Sequence, residues 1–185
     1  MQGIHLNRIY YNEVKFMFKK YELVGFFFTS ILGCLLHFVY EWTGENIIAA
    51  IFSATDESTF QHLKLFFFPY LLWIFVEQRK FGSIAKNLLP AKAIGALCGT
   101  ILIVVLFYGY TAILGTNTLV LDIAVFLIST GAAYLVSYMI VMNKRMFSSK
   151  AASMVGGCVL LLMTVSFVAF TFYPPDLELF RDPTL

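Results

Sequence analysis

The chain has 185 residues, of which 59% are hydrophobic and 13% charged, and its formal net charge is +2. Soluble domains carry about 25% charged and about 45–50% apolar residues, and a soluble fold of this size could not hide so much apolar surface. These values exclude an ordinary soluble domain and point to a single α-helical membrane domain with the lipid bilayer as its solvent.

Residues 1–22 form a mixed, polar leader carrying Arg8, Lys15, Lys19 and Lys20. A basic leader before an apolar run is how a secretory signal begins. The run 23–42, however, is too long for that and ends in Tyr40-Glu41-Trp42, with no small-residue cleavage site. It is read as a retained first span. The outer loop 43–55 contains an apolar stretch, Asn46 to Ser53, too short to cross a bilayer, which suits a short interfacial or re-entrant helix. Thr55-Asp56-Glu57-Ser58 then supplies a helix start, because short side-chain acceptors and acidic groups satisfy the first-turn amides. The second span is expected at 56–78, kinked at Pro69.

Runs 93–114, 119–142 and 151–173 are almost purely apolar and long enough for three further spans. The tail 174–185 opens on Pro174-Pro175 and cannot start as a helix; its Asp176, Arg181 and Asp182 either fold back as a lid or trail free. Cys34, Cys98 and Cys158 all fall inside apolar runs and read as small buried hydrophobes.

Eleven of the thirteen Lys and Arg residues lie in the leader, in the loop 79–92 and in the loop 144–150. Five spans put all three segments on one side, so the positive-inside rule places the amino terminus inside and the carboxy terminus outside. Ala91, Gly95 and Gly99, with Ala152/Gly156 and Ser153/Gly157, form small-residue ladders for close helix packing, within the bundle or in a homo-oligomer. There is no internal repeat of the inverted-transporter kind. The basic loops hold no phosphate-cradling motif, so no nucleic-acid role is assigned.

The opposite face gathers polar groups. His37 and Glu41 share a helix face, as do Ser58 and His62, and Glu45, Asn46, Asp56, Glu57 and Lys64 lie between or beside them. An ionisable residue inside a membrane boundary is costly and by default marks function. His37, Glu41, Glu57 and His62 are suitable donors for a divalent metal such as zinc. A metal-free ion-pair network that binds a small solute or cation uses the same groups, with Lys64 as countercharge to Glu41 or Glu57. A serine hydrolase built from Ser53 or Ser58, His62 and Asp56 or Glu57 has the residue types but no GxSxG elbow. Tyr110, Asp122 and Arg181 are secondary candidates, and Asn117 with Asp122 suits a cap for the fourth span.

His37-Phe-Val-Tyr40-Glu41-Trp42-Thr-Gly44-Glu-Asn46, Phe52-Ser53-Ala54-Thr-Asp56-Glu57-Ser58 and His62-Leu-Lys64 resemble the pattern of domain-of-unknown-function family 6512. Tyr110-Thr111, Leu114-Gly115, Asp122-Ile123, Pro174-Pro175 and Leu179-Phe180-Arg181-Asp182-Pro183 extend the likeness over nearly the whole chain. Members often read Asn-Glu-Ser and then Trp-Glu-His where this chain has Asp56, Phe60 and Gln61, so no carboxylate role carries over to position 61. The resemblance implies a bacterial inner-membrane protein and supplies no activity. Three readings stay open: a solute- or cation-binding transport or accessory component, a metal-dependent membrane hydrolase, and a structural or partner-binding subunit.

Overall fold

A computed structural model describes residues 2–143 and 145–182, with side chains from Asn12 onward. Lys144, Pro183 and the side chain of Arg8 therefore lie outside the described residues. The described residues form an all-α bundle: α1 (Gln2–Trp42), α2 (Ile47–Phe52), α3 (Thr59–Phe81), α4 (Leu88–Leu114), α5 (Leu119–Met142) and α6 (Lys150–Phe172), followed by a 3-10 turn at Glu178–Phe180. Five helices are long and apolar enough to cross a membrane, the first of them over Asn12–Trp42. Large apolar side chains such as Ile113, Val120, Leu161 and Met139 stand exposed on the outside of the bundle, as lipid-facing residues do. Cys34 and Cys158 also face outward, so they are surface residues of the bundle and not part of its core.

The second spanning helix sits at the centre. Phe60, Leu63, Phe66, Phe67, Tyr70 and Ile74 of α3 are buried against α1, α4, α5 and α6. It begins at Thr59, not at Asp56, because Asp56 is used one step earlier. Its Oδ1 accepts the Ser58 amide at 2.8 Å in a tight turn, and Ser58 Oγ then caps the helix by accepting from Gln61 N–H. Pro69 lies within this continuous helix, and the helix ends at Phe81.

Small residues set how closely the helices approach. A Cβ on Gly95 would run into Tyr70 Oη and the Ala133 carbonyl; one on Gly99 would meet Phe66, and one on Gly156 the backbone of Pro90. The ladder from Ala91 to Gly99 is thus consumed inside the bundle, between α4 and its neighbours α3 and α5. A second apolar cluster of Phe18, Phe81, Leu88, Ala91, Ile140 and Val141 closes the end that carries the basic loops. Phe18 and Glu22 are buried there, so the last turns of the leader belong to the bundle.

Candidate metal centre

At the other end of the bundle, α1 and α3 bring two imidazoles together. His37 Nε2 and His62 Nε2 are 3.2 Å apart, and Glu57 Oε2 lies 3.7 Å from the first and 3.6 Å from the second. Neither helix could place all three groups alone. His62 stands one turn into α3, while Glu57 comes from the turn just before its cap, which folds back toward α1. The side chains are part-exposed, at 31% for His37, 34% for His62 and 50% for Glu57, so the cluster opens to its surroundings.

The tautomer of His62 is fixed by its backbone. Nδ1 lies 2.9 Å from the Ser58 carbonyl, which can only accept, so Nδ1 carries the hydrogen and Nε2 presents a lone pair to the cluster. Such a carbonyl contact on the far ring nitrogen is the usual orienting partner of a metal-binding histidine. With sides of 3.2, 3.6 and 3.7 Å, the nearest point equidistant from the three atoms, in their plane, is about 2.0 Å from each, against about 2.0–2.1 Å for zinc–imidazole and about 2.0–2.2 Å for zinc–carboxylate bonds. The triangle is therefore of metal size. Two imidazoles and one carboxylate are also a donor set that zinc accepts with a fourth position left open.

The other candidates divide by local role. Glu41 is exposed and stands outside the three-residue group. Glu45 is exposed in the turn after α1, at φ 61° beside Gly44 at φ 66°. Asn46 caps α2 by accepting the Ile48 amide at 2.8 Å. Asp56 holds the Ser58 turn and also accepts from Gln61 Nε2 at 3.3 Å.

Lys64 corrects the countercharge expectation. It is fully buried and donates to the Ala50 carbonyl at 2.8 Å and to Thr171 Oγ1 at 3.0 Å, tying the carboxyl end of α2 to α3 and α6. A helix end offers unpaired carbonyls that a cation satisfies well. The serine-hydrolase reading also loses its geometry. Ser53 Oγ donates to the Ala49 carbonyl at 2.6 Å, Ser58 Oγ is the α3 cap, and His62 reaches Ser58 only through the backbone.

Tyr110 donates to Asp122, linking α4 to the first turn of α5, and Asn117 reaches the same carboxylate at 3.3 Å. The capping position itself is Thr118. The tail does fold back. Phe180 packs on Phe60 with ring centroids 4.4 Å apart, and the Glu57 amide donates to Asp182 Oδ2 at 3.3 Å. Arg181 turns away from the cluster to Asp176 at 3.0 Å, and that carboxylate raises the pKa of its guanidinium.

A second polar centre was not foreseen from the sequence. At the basic-loop end, Lys92 Nζ is 2.9 Å from Glu22 Oε2 and 2.6 Å from Glu77 Oε2, the latter as an ionic contact. Ser137 Oγ bonds Glu22 Oε1 at 2.8 Å and Trp73 Nε1–H donates to Glu77 Oε1 at 3.0 Å. In sequence each of these charges stands at the edge of an apolar run: Glu22 closes the leader, Glu77 lies in the last turn of the expected second span, and Lys92 counts with the topology-setting cations. The available signal was periodicity. Phe18, Glu22, Gly25, Thr29 and Gly33 recur at helical spacing and are all buried, which marks Glu22 as inward-facing. With this triad the basic-end half of the bundle interior carries buried charge.

The family model described as Family of unknown function (DUF6512) matches residues 10–184, and the chain belongs to that family. No curated protein and no solved structure matches it.

Proposed function

We propose that this DUF6512 member is a multi-pass membrane protein that binds a divalent transition-metal ion, of the zinc class, through His37, Glu57 and His62. The observation that carries the reading is the metal-sized triangle of His37 Nε2, His62 Nε2 and Glu57 Oε2, with His62 already held in the binding tautomer. Exposed Lys15, Lys19, Lys20, Arg79, Lys80, Lys86, Arg145 and Lys150 gather at the opposite end and support an orientation with that end in the cytoplasm. The metal then faces the extracytoplasmic side of a bacterial cytoplasmic membrane.

Three protein ligands leave one position for water or for an atom of a small solute. A transport or accessory role in handling the cation fits this better than hydrolysis, because Glu41, the carboxylate one turn beyond His37 on α1, stands outside the group that a reacting water would need. Equilibrium dialysis of detergent-purified protein against zinc, followed by metal quantification, tests the reading. One zinc per chain is expected. His37→Ala and His62→Ala should each lose it, while Glu41→Gln should retain it. Equal zinc content in all four proteins would remove the site.

A further inference from the structure

The Glu22–Lys92–Glu77 cluster has a charge count that its surroundings do not tolerate. Lys92 and Glu77 are fully buried and Glu22 is 5% exposed. Two carboxylates and one ammonium leave one net negative charge inside a membrane bundle. A bare charge there costs several kcal/mol, and such a group neutralises instead of persisting. Lys92 already sits between the carboxylates; three of the four carboxylate oxygens are hydrogen-bonded, and Glu77 Oε2 makes only its ionic contact with Lys92. A proton needs no space of its own.

The group facing each carboxylate oxygen says where it goes. Glu77 Oε1 faces Trp73 Nε1–H, and Glu77 Oε2 and Glu22 Oε2 face the Lys92 ammonium; both partners can only donate. Glu22 Oε1 alone faces a hydroxyl, Ser137 Oγ at 2.8 Å, which can turn from donor to acceptor with no heavy atom moving. Tyr70 is fully buried beside the cluster, with Lys92 Nζ 5.4 Å from its ring centroid, and its hydroxyl has no hydrogen-bond partner among the described residues.

We propose that this cluster is an intramembrane proton-binding site, with one proton held on Glu22 Oε1 and donated to Ser137. The titratable groups facing Glu22 are Lys92 from α4, Glu77 and Tyr70 from α3 and Tyr134 from α5. The site is independent of the metal centre. Fifteen residues separate Glu22 from His37 on α1 and His62 from Glu77 on α3, about 22 Å at the rise of an α-helix. Buried Phe66 and Phe67 lie on α3 between His62 and the triad. A titrating site at this depth is the element that proton-coupled movement of a solute requires.

Infrared difference spectroscopy of the full chain in lipid, perfused between neutral and alkaline buffer, reads the proton directly. The wild type should show the carbonyl band of one protonated carboxyl group at neutral pH. Glu22→Gln should abolish it. Ser137→Ala should keep it but shift it, because the acceptor is gone. Absence of the band in the wild type, or its persistence in Glu22→Gln, overturns the proposal. Should Glu22→Gln fail to fold, Ser137→Ala decides alone: a shifted band supports the assignment and an unshifted one overturns it.

Discussion

Replacing Lys92 by Met removes one charge and little volume, and it tests whether the buried triad holds the bundle together. The ammonium is fully buried, with carboxylate oxygens 2.9 and 2.6 Å away and the Tyr134 ring centroid at 4.8 Å. Methionine fills nearly the same space, so the cavity contribution is small. What remains is the buried Glu77 carboxylate beside the Glu22 carboxyl group, with no countercharge. Breaking a buried pair in this way costs about 3–5 kcal/mol, a large share of the about 5–15 kcal/mol that typically stabilises a folded domain. Equilibrium unfolding in mixed micelles, followed through the fluorescence of Trp73, measures it; Trp73 is well placed because its indole nitrogen bonds Glu77. Glu22→Gln/Glu77→Gln/Lys92→Met should recover most of the loss, since a network without charges has little to desolvate. A Lys92→Met protein within about 0.5 kcal/mol of wild type would refute the reasoning, because that is the effect of a surface substitution. So would a triple variant no better than the single one.

Gly95→Val forces a side chain into the Ala133 carbonyl and Tyr70, and should destabilise the bundle by about 1–3 kcal/mol. Gly157→Ala, with nothing within 4 Å of its added Cβ, should be neutral or gain up to about 1 kcal/mol, and thermal melts of the pair check both. Ser58→Ala should cost about 1 kcal/mol as a lost helix cap while leaving zinc affinity unchanged, because His62 is oriented by the backbone carbonyl of residue 58. A tenfold fall in zinc affinity in that variant would show that the hydroxyl matters to the site.

The membrane architecture is legible because long apolar runs have few alternatives: four of the five spanning helices follow one, and the second, whose apolar run is short, is read from the helix-start residues before it. The pairing of His37 with His62 is legible for a related reason, since both stand at the polar ends of neighbouring spans joined by one short loop. Glu41 reads as a partner from its spacing to His37, but four residues along a helix fix a shared face, not the direction of a flexible side chain at the end of a span. Lys64 misleads by charge. It looks for a carboxylate in sequence and finds, in the fold, a buried carbonyl at the end of α2. The Glu22–Lys92–Glu77 triad is hidden because its members are far apart in the chain and stand at the edges of the apolar runs. Only the inward stripe of small residues on α1, and the Tyr70–Trp73–Glu77 face of α3, show that these charges point into the bundle. The start of α3 is displaced from Asp56 to Thr59 for a local reason, the turn that Asp56 closes on the Ser58 amide.

The central claim is a zinc-class ion on two imidazoles and a carboxylate. Zinc-edge X-ray absorption of the loaded protein, compared with His62→Ala, tests it most directly. The account predicts a four-coordinate shell of nitrogen and oxygen at about 2.0–2.2 Å with the outer-shell scattering of two imidazole rings, reduced to at most one ring or lost with the metal in the variant. A six-coordinate, all-oxygen shell that is the same in both proteins would contradict it.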